Sequence, residues 1–107
     1  MDKEKFFKEL WNAVDQNFEI IDEYEDFEDV EDRYFDIIVR TYESQGEMNY
    51  QGIDVYFFVR ATSNDGGYKR VTSADIEVLG ENEEFDEWLD QFNAVEELDK
   101  ISYNKQN

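Results

Sequence analysis

The stretch GIDVYFFVRATSNDGG, residues 52–67, is the part of this sequence that predicts its fold most directly. Apolar residues occupy every second position, which is the period of a β-strand with one face toward a core. These residues are Ile53, Val55, Phe57, Val59 and Ala61. The segment SNDGG, residues 63–67, follows at once and predicts a hairpin turn, because Asn, Asp and Gly tolerate positive φ. We therefore expect a strand that ends in a hairpin.

Two further segments continue this pattern on either side. Residues 34–42 alternate in the same way, and residues 68–79 form a third run after the turn. The segment SQGEMNYQG, residues 44–52, is expected to link the first two strands. The sequence therefore predicts a three-stranded antiparallel meander. Arg40 and Arg60 lie on these strands, and we expect them to pair with carboxylates across the solvent face of the sheet.

Helical periodicity precedes the strands. Residues 2–17 carry Phe6, Leu10 and Val14 at intervals of four, with further bulky residues beside them. Asp2 stands before this run and can cap the helix, because its carboxylate can accept a hydrogen bond from an unpaired amide of the first turn. We therefore predict an N-terminal amphipathic helix that packs on the sheet.

A second helix is predicted after the strands. Gly80 ends the sheet, Asn82 can act as an N-cap, and a helix over residues 83–99 follows. Its apolar face consists of Phe85, Trp88, Leu89, Phe92, Val95 and Leu98. Residues 101–107 are expected to form a frayed tail. Because helices on one face would cover the apolar row of the sheet, we predict a single α+β domain over residues 1–107.

The segment EIIDEYEDFEDVED, residues 19–32, permits two structures. Its large apolar residues recur at intervals of three or four, as on one face of a helix. They are Ile20, Tyr24, Phe27 and Val30, followed by Tyr34. Like charges four residues apart oppose an isolated helix by about 0.2–0.5 kcal/mol per pair, so this stripe would have to pack on the fold. We expect a helix or helical turn over residues 24–32, and the alternative is a short strand over 18–22 followed by an acidic loop.

Charge is the strongest signal for function. Twenty-nine acidic residues against ten basic ones give a formal net charge of −19. Eighteen of the acids fall in two blocks, residues 19–32 and 81–99, whereas a halophilic protein would spread them evenly. Such a charge repels nucleic acids and anionic membranes and attracts basic surfaces. The chain is also rich in large aliphatic and aromatic residues, so we expect it to fold and to present this charge to a basic partner.

Both acidic blocks supply candidate partner-binding residues. The first block contributes eight carboxylates and two aromatic side chains: Asp22, Glu23, Glu25, Asp26, Glu28, Asp29, Glu31, Asp32, Tyr24 and Phe27. The second block contributes Glu83, Glu84, Asp86, Glu87 and Asp90. Acids in the first turn of a helix are stabilised by its dipole, so the second block also has an ordinary structural explanation. Aromatic side chains between carboxylates suit a protein interface, where Tyr is enriched.

The residue types exclude several kinds of chemistry. The chain has no Cys and no His, which removes disulfides, zinc sites built on those residues, and Ser-His or Cys-His catalysis. No glycine-rich phosphate loop occurs, and an EF-hand loop that starts at Asp22 fails because Tyr24 and Phe27 occupy a ligand position and the glycine position. We therefore expect no enzyme activity, no cofactor and no metal site. Neither a membrane span nor a signal peptide is indicated, so we expect a cytoplasmic protein.

Two acidic segments, DEYEDFEDVED at 22–32 and ENEEFDEWLD at 81–90, carry a resemblance to a known class of proteins. The chain resembles the small, acidic, cysteine-free α+β proteins that phages encode to inhibit bacterial defence, including anti-CRISPR proteins and anti-restriction proteins that mimic DNA. The predicted layout is similar to that of an anti-CRISPR inhibitor of the type II RNA-guided nuclease, whose acids block the site that reads the short motif beside the target. The resemblance implies a DNA mimic that acts on a basic nucleic-acid-binding protein in the bacterial cell.

A mimic of this kind would compete with nucleic acid for a basic cleft. Carboxylates three or four residues apart on a helix recur about once per 5.4 Å turn, and opposite charges speed association. An immunity protein that neutralises a nuclease toxin needs the same acidic face and stays an alternative, as does an acidic adaptor or chaperone that inhibits nothing. The identity of the target and the oligomeric state also stay open.

Overall fold

The computed structural model describes the backbone of residues 1–30 and 33–105 and the side chains of residues 1–26 and 37–105. Along the chain the elements are α1 (Lys3–Gln16), β1 (Phe18–Val30), β2 (Arg33–Tyr50), β3 (Ile53–Asn64), β4 (Arg70–Val78), α2 (Glu83–Leu89) and α3 (Ala94–Lys105). The described strands form one antiparallel sheet in the order β1-β2-β3-β4. The predicted α+β class is confirmed, but the sheet has four strands where three were predicted.

The sheet has one face covered by helices and one open face. On β3 the predicted alternation is confirmed, because Val55, Phe57, Val59 and Ala61 are fully buried while the residues between them are half-buried or exposed. Side chains of α1, α2 and α3 join the buried residues of the strands in one hydrophobic core. The even-numbered residues of β3 and the odd-numbered residues of β2, which pair with them, therefore project from the opposite side. We call the two sides the covered face and the open face.

Helix α1 packs on the covered face as the sequence predicts. Asp2 caps its first turn, since its carboxylate accepts a hydrogen bond from the Lys5 amide at 3.2 Å. Five side chains of the helix are buried: Phe6, Phe7, Leu10, Trp11 and Val14. At the other end, the buried Ser44 hydroxyl of β2 donates to the Val14 carbonyl at 2.6 Å. The Val14 carbonyl also accepts from the Asn17 amide at 3.1 Å, so the bond from Ser44 is a second one that joins the last turn of α1 to the sheet.

The C-terminal helix predicted over residues 83–99 is two helices in the structure. Asn82 caps α2 as predicted, because its side chain accepts a hydrogen bond from the Phe85 amide at 3.0 Å. Asn93 caps α3 in the same way, accepting from the Glu96 amide at 3.3 Å. An Asn side chain competes for backbone N–H groups, so a second capping residue inside the predicted segment ends one helix and begins another.

The prediction of a frayed tail after residue 100 is wrong up to Lys105. Helix α3 continues through Lys105, and Ser102 is buried. The Ser102 hydroxyl donates to the Lys69 carbonyl at 2.6 Å, and the Lys105 ammonium donates to the Asn12 side chain of α1 at 3.0 Å. These contacts join residues that are far apart in sequence, so periodicity alone does not reveal them. Residues 106 and 107 lie outside the described residues.

The acidic segment is a strand as far as it is described, so the helix predicted over residues 24–32 is wrong. β1 runs from Phe18 to Val30 and pairs with β2 between Ser44 and Arg33. The alternative of a strand over 18–22 has the right type but is too short. In a strand successive acids point to opposite faces, which separates charges that a helix would bring together at i and i+4. The backbone of β2 also supplies ladder hydrogen bonds, which compensate for the weak strand propensity of Asp and Glu.

A bulge at Ile21 hides this strand in the sequence. The register with β2 shifts between Ile20 and Asp22, which leaves Ile21 as an extra residue on β1. One extra residue inverts the alternation that follows it. Ile20 therefore lies on the covered side, opposite Tyr42, whereas Tyr24 lies on the open side. The two exposed side chains have a helical spacing of four residues although neither belongs to a helix.

The SQGEMNYQG segment, predicted to link two strands, is itself mostly strand. β2 continues to Tyr50, and only Gln51 and Gly52 form the turn to β3. Both have positive φ, 51° and 87°, as in the two-residue turn that suits the twist of a hairpin. Gly46, within the strand, faces the Phe57 ring, which lies 3.1 Å from where a Cβ atom would be. Glycine is there because of close packing, and it does not signal a loop.

Tyr50 carries a hydroxyl that is buried without a hydrogen-bond partner among the described residues. Its side chain is 1% exposed and contacts the rings of Phe6 and Phe85. Burial raises the pKa of this phenol above its ordinary value, and the negative charges of Glu9 and Asp2 raise it further. The fold therefore holds a neutral phenol in its core.

Replacing Tyr50 with phenylalanine is expected to raise the free energy of unfolding by about 1 kcal/mol at neutral pH, because the change removes an unpaired buried hydroxyl. The advantage of the variant should grow in alkali. Since the folded pKa is raised, the stability from the protonated phenol is intact below the ordinary tyrosine pKa of about 10 and is lost as pH rises through the raised value. Urea unfolding of both proteins between neutral pH and about pH 11 measures the difference, and a difference that does not change with pH would contradict the buried phenol.

Candidate functional site

The acidic strand β1 and the start of β2 extend beyond the rest of the sheet. β3 reaches only to Val39 of β2, so the preceding residues of β2 have β1 as their one paired strand. Asp65 closes the base of this extension: its amide donates to the Ile38 carbonyl at 2.8 Å, and its carboxylate accepts from the Ile38 amide at 2.8 Å. We call the two-stranded extension, residues 25–30 and 33–38, the hairpin arm.

Carboxylates project from both faces of β1 at the base of the hairpin arm. Asp22 and Asp26 lie on the open face with Tyr24, whereas Glu23 and Glu25 lie on the other side. All five side chains are exposed, with Tyr24 at 50%. A strand at the edge of the sheet thus presents negative charge on both of its faces. The predicted helix would instead have packed its apolar side against the fold.

Two arginines form cross-strand pairs, on opposite faces of the sheet. The Arg40 Nε lies 2.7 Å from a Glu23 carboxylate oxygen, and this hydrogen bond and the charge of Glu23 raise the pKa of the Arg40 guanidinium. Arg60 pairs with Glu43 at 3.2 Å on the open face, which confirms the prediction for Arg60. Arg40 also pairs across strands, but its pair with Glu23 lies on the covered side, so the face predicted for Arg40 is wrong. Both pairs are reached by solvent, so they orient neighbouring strands more than they stabilise the fold.

Five residues of the first acidic block that the sequence predicts to bind a partner have side chains outside the described residues. The backbone of Phe27, Glu28 and Asp29 lies in β1 on the hairpin arm, but their side chains are outside the described residues. Glu31 and Asp32 lie outside the described residues altogether. The side chains of the first block are therefore described up to the base of the arm.

The second acidic block lies at the other end of the sheet. Val78, the last residue of β4, pairs with Val55, so β4 ends beside the turn between β2 and β3. Helix α2 follows there, and its acids are exposed: Glu83, Glu84, Asp86, Glu87 and Asp90. The sheet separates them from the hairpin arm in a molecule 57 Å long. The structure therefore does not bring the two predicted blocks together into one surface.

Between the two blocks, the open face carries acids that the sequence prediction missed. They are Glu43, Glu47, Asp54, Asp75 and Glu77. They come from three strands, and strand pairing brings them to one side of the sheet. Strand parity is the signal that would have found them, because positions that alternate with buried ones share the open face.

The charge is distributed along an elongated body with extents of 57, 22 and 19 Å. A formal net charge of −19 over 57 Å is about one negative charge per 3 Å of length. Duplex DNA carries about one charge per 1.7 Å of axis, and one of its strands carries about one per 3.4 Å. The protein therefore resembles one nucleic-acid strand in linear charge density and falls below a duplex.

The part of the chain that the structure describes contains no group of three or more carboxylates arranged to hold a metal ion. None of its helices is both long and apolar enough to cross a membrane. Comparison with protein-family models, with curated proteins and with solved structures gives no match. The function is therefore inferred from the chemistry of the surface.

Proposed function

We propose that this protein is an acidic inhibitor that occupies a basic nucleic-acid-binding cleft and competes with the phosphates that the cleft normally binds. The observation that supports the proposal is the projection of exposed carboxylates from both faces of β1 at the base of the hairpin arm. A cleft that surrounds a nucleic-acid strand can contact such an element from two sides. Its Lys and Arg side chains would then meet carboxylates in place of phosphates.

Strand geometry gives the carboxylates a spacing close to that of phosphates. Successive residues of an antiparallel strand rise by about 3.4 Å, which is also the axial distance between phosphates along one DNA strand. Between Asp22 and Asp26, four of five consecutive residues are acidic. The mimicry that we propose therefore rests on a β-strand, whereas the sequence favoured a helical ladder of carboxylates with a longer repeat.

The target that we propose is a nuclease of a bacterial defence system. The resemblance drawn from the sequence favours a type II RNA-guided nuclease, with the protein as an anti-CRISPR inhibitor in the bacterial cytoplasm. An anti-restriction DNA mimic, or an immunity protein against a nuclease toxin, would use the same acidic surface. Binding to nucleic acid or to a membrane is not part of the proposal, because both carry negative charge.

A pull-down from bacterial lysate, with the protein as bait, tests this function. The expected result is a retained DNA-binding nuclease that added duplex DNA releases, and cleavage by that purified nuclease should be inhibited by the protein. The reference is the same pull-down without added DNA. Retention of metabolic enzymes alone, or of a nuclease that DNA does not displace, would contradict the proposal.

Inhibition is expected to weaken steeply with salt. The Debye length is about 10 Å at 0.1 M and falls toward about 3 Å at 1 M, so attraction between the acidic surface and a basic cleft is screened. Between about 0.05 and 0.5 M salt we expect at least a tenfold loss of affinity for the target, measured by biosensor titration. Circular dichroism at each salt concentration shows whether the inhibitor stays folded. An affinity that does not respond to salt would instead indicate binding through aromatic residues such as Tyr24.

A further inference from the structure

The edge strand β1 has an outer backbone that no other strand of the described sheet pairs with. The direction of its amides follows from Ile38 on β2. Both the amide and the carbonyl of Ile38 bond to Asp65, on the β3 side. Backbone groups of successive strand residues point to alternate sides, so those of Ile37 and Val39 point toward β1.

The partners of Ile37 and Val39 on β1 are Asp26 and Tyr24, whose backbone groups therefore point toward β2. The intervening residues, Glu23 and Glu25, turn their amides and carbonyls away from the sheet. No backbone hydrogen bond from another described element reaches these outward groups. The register on β1 shifts only at Ile21 and is regular from Asp22 onward, so this part of the edge is straight enough to pair.

The other edge of the sheet is closed in a different way. The outward amide of Val71 on β4 donates to the Asp99 carboxylate of α3 at 3.0 Å. A register shift next to Val71 interrupts the strand, and α3 packs against β4. Bulges, capping side chains and a covering helix are the usual means of protecting an edge strand. β1 has only its bulge and its carboxylates.

Large apolar side chains add to the binding capacity of the β1 edge. Ile20, Ile21 and Tyr24 are 55%, 48% and 50% exposed. Unpaired amides flanked by exposed apolar side chains are a template for another extended chain. A second copy of β1 is excluded as that chain, because acids would lie opposite acids, and like charges in cross-strand positions are destabilising. Lysine and arginine in the same positions would be attracted.

We propose that the outer edge of β1, from Asp22 to Asp26, receives an extended basic segment of a partner protein as a fifth strand. The amides and carbonyls of Glu23 and Glu25 form the new ladder, and the carboxylates of Asp22 and Glu25 meet Lys or Arg side chains across it. The inference rests on the proposed function only for the basic character of the partner. It adds a backbone-directed mode of binding that a purely electrostatic mimic does not need.

A basic peptide tests the ladder without any change to the protein. The probe is a peptide of alternating lysine and valine, compared with a copy that is N-methylated at every residue and so lacks the N–H donors along both of its edges. We expect the methylated copy to bind at least tenfold more weakly. Hydrogen exchange of the Glu23 and Glu25 amides, followed by NMR, should slow at least tenfold with the unmodified peptide. Equal binding of the two peptides, or no binding of either, would overturn the inference.

A proline substitution tests the same ladder from the side of the protein. Glu25→Pro removes an outward amide, and proline is tolerated on edge strands where its nitrogen faces solvent. Glu25→Gln removes the same charge and keeps the amide, so it is the matched control. We expect Glu25→Pro to bind the unmodified peptide at least tenfold more weakly than Glu25→Gln, with thermal unfolding as the check on the fold. If both variants are folded and bind the unmodified peptide equally well, the inference is overturned.

The two proposals fail in distinguishable ways. If the N-methylated peptide binds as well as the unmodified one while nuclease inhibition is still lost with salt, the fifth strand is wrong and the charge-based inhibition stands. If the unmodified peptide binds with slowed exchange at Glu23 and Glu25 while no nuclease is inhibited, the fifth strand is supported and the inhibitor function is wrong.

Discussion

Replacing Phe6 with alanine is expected to lower the free energy of unfolding by about 3–5 kcal/mol. The side chain is fully buried, and its ring centroid lies 5.1 Å from those of Phe7 and Tyr50 and 5.4 Å from that of Phe85. These rings belong to α1, β2 and α2, so one cavity removes contacts between three elements. Because single domains are usually stable by only about 5–15 kcal/mol, the loss should be a large part of the total. Urea and thermal unfolding measure it.

Phe58→Ala is the matched control, because it makes the same chemical change on the open face of β3. The Phe58 ring is half-buried and lies 5.6 Å from the Arg60 guanidinium. We expect this variant to lose about 1 kcal/mol. A loss as large as that of Phe6→Ala would mean that the open face is packed as tightly as the covered one, and would contradict a core on one side of the sheet.

Elements whose evidence is local are predictable from this sequence. In α1, the apolar stripe and the Asp2 cap lie within one segment, and in β3 the alternation from Ile53 to Ala61 is unbroken. β1 depends on a partner strand and contains a bulge at Ile21, which inverts its alternation and produces a false helical period. The break between α2 and α3 depends on whether Asn93 caps a helix or continues one, and periodicity does not decide this.

The candidate site is predictable in composition but not in arrangement. Exposure of Asp22 and Glu25 follows from their charge, because ionised carboxylates are rarely buried without a partner. The separation of the first block from α2 follows from the sheet topology, which the predicted three-stranded meander did not contain. The acids of the open face, such as Asp54 and Glu77, lie on the same surface only because of the register between the strands.

Reversing Asp22 and Glu25 together to lysine is expected to weaken binding of the target nuclease about 100-fold or more. The two side chains point to opposite faces of β1, and neither forms an ion pair with another described residue. In a basic cleft each reversal turns attraction into repulsion, and close charge pairs at interfaces are coupled by about 1.5–7 kcal/mol. A tenfold change corresponds to about 1.4 kcal/mol, so two such changes give the expected factor. Competition with DNA in a cleavage assay measures it.

Two further double variants show whether position or net charge causes the loss. Glu9→Lys with Asp15→Lys makes the same charge change on the exposed side of α1, and it should weaken binding much less than the change on β1. Glu87→Lys with Asp90→Lys makes it on α2, at the opposite end of the sheet. Circular dichroism shows which variants stay folded. If the α1 variant loses as much affinity as the β1 variant, net charge alone drives binding, and if only the α2 variant loses affinity, the second acidic block is the binding surface.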